Sequence, residues 1–141
     1  MDWSIHHINL PAHDVRESTR FYRDLIGLTD GPTPKTVGKG SGKFQRTERA
    51  FVCIGDGDRG LHIMKPMPNF ASDNGFSVNP VISGHLAITV RDLDAVKRRL
   101  HAAGIFYADA GNFSMPEVRQ IYVYDPSMNC IEINEVRSSH F

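Results

Sequence analysis

The chain has 141 residues, 40% hydrophobic and 23% charged, which suits one domain with a real core. Sixteen Lys and Arg balance sixteen Asp and Glu, so no global charge steers the chain toward nucleic acid or an anionic membrane. No apolar run reaches membrane-spanning length, MDWSIHHINL lacks the regions of a signal peptide, and two cysteines make no disulfide framework, so the expected location is the cytoplasm.

Residues 5–10 alternate as a strand, with Ile8 and Leu10 on one face and His7 and Asn9 on the other. Asp14 is the expected N-cap of a helix over 15–25 that stops at Gly27. Residues 31–43 hold four glycines and two prolines and read as a loop. Two alternations, 50–54 and 61–64, flank the turn-forming run Gly55-Asp56-Gly57-Asp58, and the Pro-, Asn-, Ser- and Gly-rich stretch 66–80 reads as a linker. The order then repeats. A strand over 85–90 precedes Asp92 and a helix over 93–103, and strands over 120–124 and 130–133 flank the turn Asp125-Pro126-Ser127-Met128-Asn129. Short further strands are expected after the helices, near 28–30 and 105–107.

Spacing supports a duplication, because His7 and His85, like Asp14 and Asp92, are 78 residues apart. Alternation then sorts the side chains. Leu86, Ile88 and Val90 oppose His85, Ala87 and Thr89; Leu61 and Ile63 flank His62; Ile131 and Ile133 flank Glu132. If the apolar faces pack on the two helices, His7, His62, His85 and Glu132 line one shared concave surface. Neutral imidazoles and a carboxylate from separate strands suit one divalent metal ion: zinc, nickel, manganese, cobalt or iron(II). A lone strand histidine is more often a surface or hydrogen-bonded residue, whereas three histidines and a glutamate placed by a repeat are hard to produce by chance. His6 falls in phase with Ile8 and Leu10, its repeat counterpart is Gly84, and it is rejected as a ligand. His13, His101 and His140 are expected to face solvent.

The string His7-Ile8-Asn9-Leu10, with Asp14-Val15 and Phe21-Tyr22-Arg23-Asp24-Leu25-Ile26-Gly27-Leu28, resembles the opening of the vicinal oxygen chelate superfamily, the glyoxalase/bleomycin-resistance/extradiol-dioxygenase group. His85-Leu86-Ala87-Ile88-Thr89-Val90-Arg91-Asp92-Leu93 and Asp125-Pro126-Ser127-Met128-Asn129-Cys130-Ile131-Glu132 resemble it equally. The resemblance implies an α+β fold, one domain of two tandem βαβββ modules (about 1–68 and 81–141), whose curved mixed sheet surrounds a metal-binding cleft. It matches His7, His85 and Glu132 to ligand positions and puts His62 at the corresponding last-strand position of the first module. The chain departs from the family twice. Glyoxalase I enzymes commonly have glutamate, and methylmalonyl-CoA epimerases glutamine, where His62 stands; Met128 replaces the usual glycine of the turn, where a positive φ would strain it. A homodimer is also implied.

Face assignment leaves Arg49, Phe51, Cys53, Gln120, Tyr122 and Tyr124 toward the cleft, beside Asn9 and Met64. Arg49 suits a substrate carboxylate or phosphate, and Asn9, Phe51 and Gln120 are further substrate-binding candidates. Tyr122 is a candidate donor to a metal-bound oxygen. The plainer roles of these residues are surface ion pairing and packing. Arg119 lies in the opposite phase. The expected activity is a glyoxalase-I-like lyase or isomerase acting on a small oxygen-chelating substrate, with Glu132 as ligand and base. Alternatives are an iron(II) ring-cleaving dioxygenase using His7, His85 and Glu132, with His62 as an outer acid or base; a thiol transferase; and a small-molecule binding protein.

Overall fold

The computed structural model describes residues 2–33, 47, 49–124, 126 and 128–137. Most of the expected loop over 31–43, two residues of the 125–129 turn and His140 lie outside the described residues.

Asp14, three residues after the first strand, caps the first helix, its carboxylate accepting from the Glu17 amide at 2.9 Å. Asp92 does the same for the Ala95 amide at 2.8 Å, and each cap contributes about 1 kcal/mol. The elements so delimited are β1 (Trp3–Pro11), α1 (Val15–Arg20), β2 (Phe51–Asp56), β3 (Arg59–Met64), α2 (Phe70–Asn74), β4 (His85–Val90), α3 (Leu93–Ala102), β5 (Tyr107–Met115), β6 (Val118–Tyr124) and β7 (Cys130–Val136). The expected helix over 15–25 is divided, since its second part, Phe21–Leu25, is a π-helical turn that Ile26 closes by donating to the Phe21 carbonyl. Residues 28–30 form no strand, whereas the short strand expected near 105–107 begins at Tyr107 and runs nine residues.

Seven strands make one open mixed sheet in the order β2-β3-β1-β4-β7-β6-β5. The duplication is visible in the pairing. β1 runs parallel to β3, β4 runs parallel to β7, and β1 and β4 meet antiparallel at the centre. Among the described residues the first half shows βαββ and the second βαβββ. Val15 packs with Ile54 and Ile63 on one face, so α1 covers β2 and β3 there. Arg119, in the opposite phase to the cleft residues, ties β6 to α3 through Asp94 at 3.3 Å and to Glu135 at 3.1 Å.

Residues 66–80 do more than link. Phe70 on α2 packs with Met64, Val81, Phe76 and Phe113, the Phe70–Phe113 and Phe76–Phe113 rings lying 5.5 and 4.9 Å apart. Apolar anchors spaced through a polar-looking stretch thus close one end of the opposite face. No helix among the described residues is long and apolar enough to cross a membrane.

Candidate metal centre

In β1, β4 and β7 the face that carries His7, His85 and Glu132 is the more buried one, whereas in β3 His62 and, on the opposite face, Ile63 are both buried. In β4, His85, Ala87 and Thr89 are buried while Leu86, Ile88 and Val90 are half-buried; in β7, Glu132 and Asn134 are buried between half-buried isoleucines. The expected assignment of His7, His62, His85 and Glu132 to one concave surface is what the strands produce. They line a cleft of about 710 Å3.

At its floor three donor atoms converge. His7 Nε2 lies 3.1 Å from His85 Nε2, and Glu132 Oε2 lies 3.7 Å from the first and 3.3 Å from the second. Three ligand atoms each about 2.1 Å from one ion, at tetrahedral angles, would be about 3.4 Å apart, so the spacing fits a small divalent cation. Each donor has a partner behind it. The His85 Nδ1–H donates to the Pro80 carbonyl at 2.7 Å, which leaves Nε2 with its lone pair toward the centre. Asn134 Nδ2 donates to Glu132 Oε1 at 2.7 Å, while Asn134 Oδ1 accepts from Thr89 Oγ1 at 2.8 Å. His7 Nδ1 meets His6 Nδ1 at 3.0 Å. Burial holds the His7 imidazole well below its ordinary range, against the pull of Glu132, so it stays neutral and able to ligate. Burial acts to raise the Glu132 carboxyl, but the positive charge that His7 and His85 bring when protonated, together with the Asn134 amide, outweighs it and favours the carboxylate well below the usual range.

His62 sits beside this trio. Its ring stacks on His7 with centroids 3.8 Å apart, and its Nε2 approaches the Asp58 carbonyl at 2.6 Å; the described group of converging donors is His7, His85 and Glu132. Donation from Nε2 leaves Nδ1 as the unprotonated nitrogen. Burial pushes the His62 imidazole down to about 4, so it is neutral near pH 7.

The expected phase of His6 is corrected. Pairing jumps from Ile5↔Ile88 to His7↔Ala87, so His6 is an extra residue in a β-bulge and turns inward with His7. It is 5% exposed and lines the cleft, its Nε2 lying 3.5 Å from Asp58 Oδ2. Burial lowers its imidazole from the ordinary value although Asp58 pulls the other way. A bulge has no signature in a single sequence here. Asn134, by contrast, could have been found, because alternation along β7 puts it on the Glu132 face.

The other candidates are dispersed. Asn9 is buried on the cleft wall, where Nδ2 meets Met64 Sδ at 3.5 Å and Oδ1 has no partner among the described residues. Phe51 lines the cleft with its ring 5.1 Å from that of His62. Tyr122 is buried on the wall near His85, its hydroxyl accepting from Gln120 Nε2 at 2.9 Å. Gln120 is 1% exposed, held also by Ser114 at 2.6 Å, and lies behind Tyr122. Arg49 is exposed on the turn before β2, away from the cleft lining. Cys130 is buried and its thiol pushed up to about 12, which suits neither ligation nor nucleophilic attack. His13 and His101 are exposed, as expected.

Comparison with known proteins agrees with this architecture. The Glyoxalase/Bleomycin resistance protein/Dioxygenase superfamily matches over residues 4–133. Among solved structures, methylmalonyl-CoA epimerase from Streptomyces coelicolor, in complex with 2-nitronate-propionyl-CoA, is 18% identical, with 95% of this chain and 97% of that chain covered and a TM-score of 0.58. The corresponding epimerase from Mycobacterium tuberculosis is 18% identical, with 94% and 87% covered and a TM-score of 0.53. A glyoxalase/bleomycin resistance protein/dioxygenase superfamily member from Vibrio splendidus 12B01 is 15% identical, with 94% and 98% covered and a TM-score of 0.51. At such identities the likeness is one of fold. No curated protein sequence matches the chain.

Proposed function

Because the chain belongs to the Glyoxalase/Bleomycin resistance protein/Dioxygenase superfamily, we propose that it is a glyoxalase-I-like lyase or isomerase whose metal is held by His7, His85 and Glu132. The carrying observation is the convergence of two imidazole nitrogens and one carboxylate oxygen at 3.1–3.7 Å on a cleft floor. Zinc, nickel, manganese, cobalt or iron(II) suits that donor set, and the bound ion would supply stabilisation of negative charge developing on two neighbouring substrate oxygens. The chain's own groups do the rest. His62, neutral and with Nδ1 unprotonated, accepts a proton from the carbon beside a substrate carbonyl, while Glu132, held well below the usual carboxylate range, serves better as ligand than as base. The Tyr122 hydroxyl, polarised by the bond it accepts from Gln120, donates to a substrate oxygen. Asn9 Oδ1 accepts from a substrate hydroxyl, and Phe51 packs on the substrate body. Fold neighbours named epimerases support proton transfer as the reaction class.

One observation favours a second reading. Two histidines and one carboxylate, with His62 outside the trio, form the set that suits iron(II) and open positions in oxygenases. Elemental analysis of wild type, His85→Ala and His62→Ala separates the two. About one zinc, nickel or cobalt per chain, lost in His85→Ala, supports the lyase; iron with His62→Ala unaffected favours the oxygenase. A wild type that takes up no metal would overturn both and leave a binding protein.

We further propose a homodimer built on the outer face, the two modules of about 1–68 and 81–141 staying within one cytoplasmic chain. Trp3, Ile5 and Ile8 of β1 are 48, 57 and 42% exposed beside half-buried Leu86, Ile88 and Val90 of β4, an apolar row that α3 only flanks, its Ala95, Val96 and Arg99 lining a hollow with Trp3, Ile88 and Val90. Light scattering should give twice the chain mass, and Ile8→Glu should halve it. A monomeric wild type would refute this.

A further inference from the structure

The three donors are supported in unequal ways, and the first is the odd one. A carbonyl stands behind His85 and an amide N–H behind Glu132, and each of these can act in only one sense. Behind His7 stands another imidazole, which can accept or donate at Nδ1. If His6 Nδ1 carried the proton, it would donate to His7 Nδ1. The His7 proton would then sit on Nε2, the nitrogen that faces His85 and Glu132, and no cation could bind there.

Asp58 removes the ambiguity. Its Oδ2 lies 3.5 Å from His6 Nε2, a carboxylate can only accept, and the His6 proton is therefore drawn to Nε2. His6 Nδ1 becomes an acceptor, His7 donates from Nδ1, and His7 Nε2 is left with a lone pair. The bulge is the structural condition for this, because only the extra residue lets two consecutive side chains of β1 share the inner face. Asp58 is fixed in turn by its place in the two-residue turn between β2 and β3, where its carbonyl accepts from His62 Nε2 at 2.6 Å. One turn residue thus touches both histidines that flank His7.

We propose that His6 and Asp58 are positioning residues that select the metal-binding tautomer of His7, through the hydrogen bond between His7 and His6 and the charge contact between His6 and Asp58. This rests on the reading of His7 as a ligand. Outer partners of metal-bound histidines are typically worth 10–100-fold in metal affinity, and the same range is expected here.

The test uses zinc as probe on the full chain, by competition with a chelator, together with 15N spectra of the imidazoles in zinc-free protein. Asp58→Asn keeps shape while offering both a donor and an acceptor to His6, and should weaken zinc binding about 10-fold or more. His6→Leu should weaken it at least as much. His6→Asn, whose Oδ1 can take the place of Nδ1 as acceptor, should stay within about threefold of wild type. That rescue distinguishes tautomer selection from simple packing. Zinc-free wild type should show His7 protonated at Nδ1, and Asp58→Asn a mixture. Equal zinc affinity in wild type and Asp58→Asn overturns the proposal, as does a His7 that carries its proton on Nε2 in the zinc-free wild type. A wild type protonated at Nδ1 that takes no zinc would leave tautomer selection standing and sink the metal centre instead.

Discussion

β1 and β4 occupy equivalent places in the two halves of the sheet and deliver equivalent ligands, His7 and His85, yet they hold them differently. β4 is regular, and its histidine is oriented by the backbone carbonyl of Pro80. β1 carries a bulge, and its histidine is oriented by side chains from β1 and a distant turn. The residue before each ligand tells the two apart. Where β1 has His6, β4 is preceded by Gly84 at φ 75°, and a Cβ there would lie 2.1 Å from the Asn9 carbonyl oxygen of β1 itself. The duplication therefore set where the ligands stand, and each half found its own means of aiming them. The side-chain solution on one strand was not open to the other, because the central β1–β4 approach leaves no room for it.

The sharpest way to break this comparison is to put a side chain at the second position. Gly84→Ala forces a Cβ against backbone at a left-handed φ, combining about 1–2 kcal/mol of conformational cost with about 1–3 kcal/mol of overpacking. The expected loss is about 3 kcal/mol, or a fall of roughly 10 °C in Tm at this chain length. Thermal unfolding of the metal-free protein checks it. An alanine variant melting within a degree of wild type would mean that β1 and β4 are freer to separate than the contact implies.

The same contrast explains what could be read in advance. Regular alternation in β4 and β7 made His85, Glu132 and the strand bounds of β4 legible, and the 78-residue offset extended the reading to His7. His6 was put on the wrong face because period-two alternation fails at a bulge, and the pairing register that creates the bulge involves Ala87, far along the chain. Arg49 was assigned by extending alternation one step before β2, onto what is a turn. His62 was correctly sent to the inner face, but which way its ring nitrogens turn depends on the Asp58 carbonyl. Alternation fixes a side chain's face; it carries no information on where the tip of an imidazole ends.

A second comparison sets His62 against Glu132, the two last-strand positions. Glu132 joins the converging trio; His62 gives its Nε2–H to a carbonyl and is kept neutral. Its folded pKa of about 4 is below the unfolded value of 6.5, so the unfolded chain binds more protons between them and stability must fall as pH drops through that window. From pH 7 to pH 5 the loss should be on the order of 2 kcal/mol for this group. His62→Gln keeps a donor near the Nε2 position and cannot titrate. Metal-free wild type should lose several degrees of Tm more than His62→Gln over that interval. Parallel pH profiles for the two proteins would show that His62 is not the buried neutral group described.

The smallest contrast lies in the turns that lead into those strands. Gly57 takes φ 64° in the first half, where the two-residue turn joining β2 to β3 calls for a positive φ, and Met128 takes φ 65° shortly before β7 in the second. The first is free of strain, whereas the second costs about 1–2 kcal/mol, since the methionine Cβ crowds its own backbone there. Nothing in packing repays this, because Met128 is 69% exposed. Met128→Gly should therefore stabilise the protein by about 0.5–1 kcal/mol after the greater freedom of glycine in the unfolded chain is subtracted, a rise of about 2–4 °C. The reciprocal Gly57→Ala should lower Tm by a similar amount. If Met128→Gly leaves Tm unchanged or lowers it, the methionine side chain makes a contact that offsets its strain.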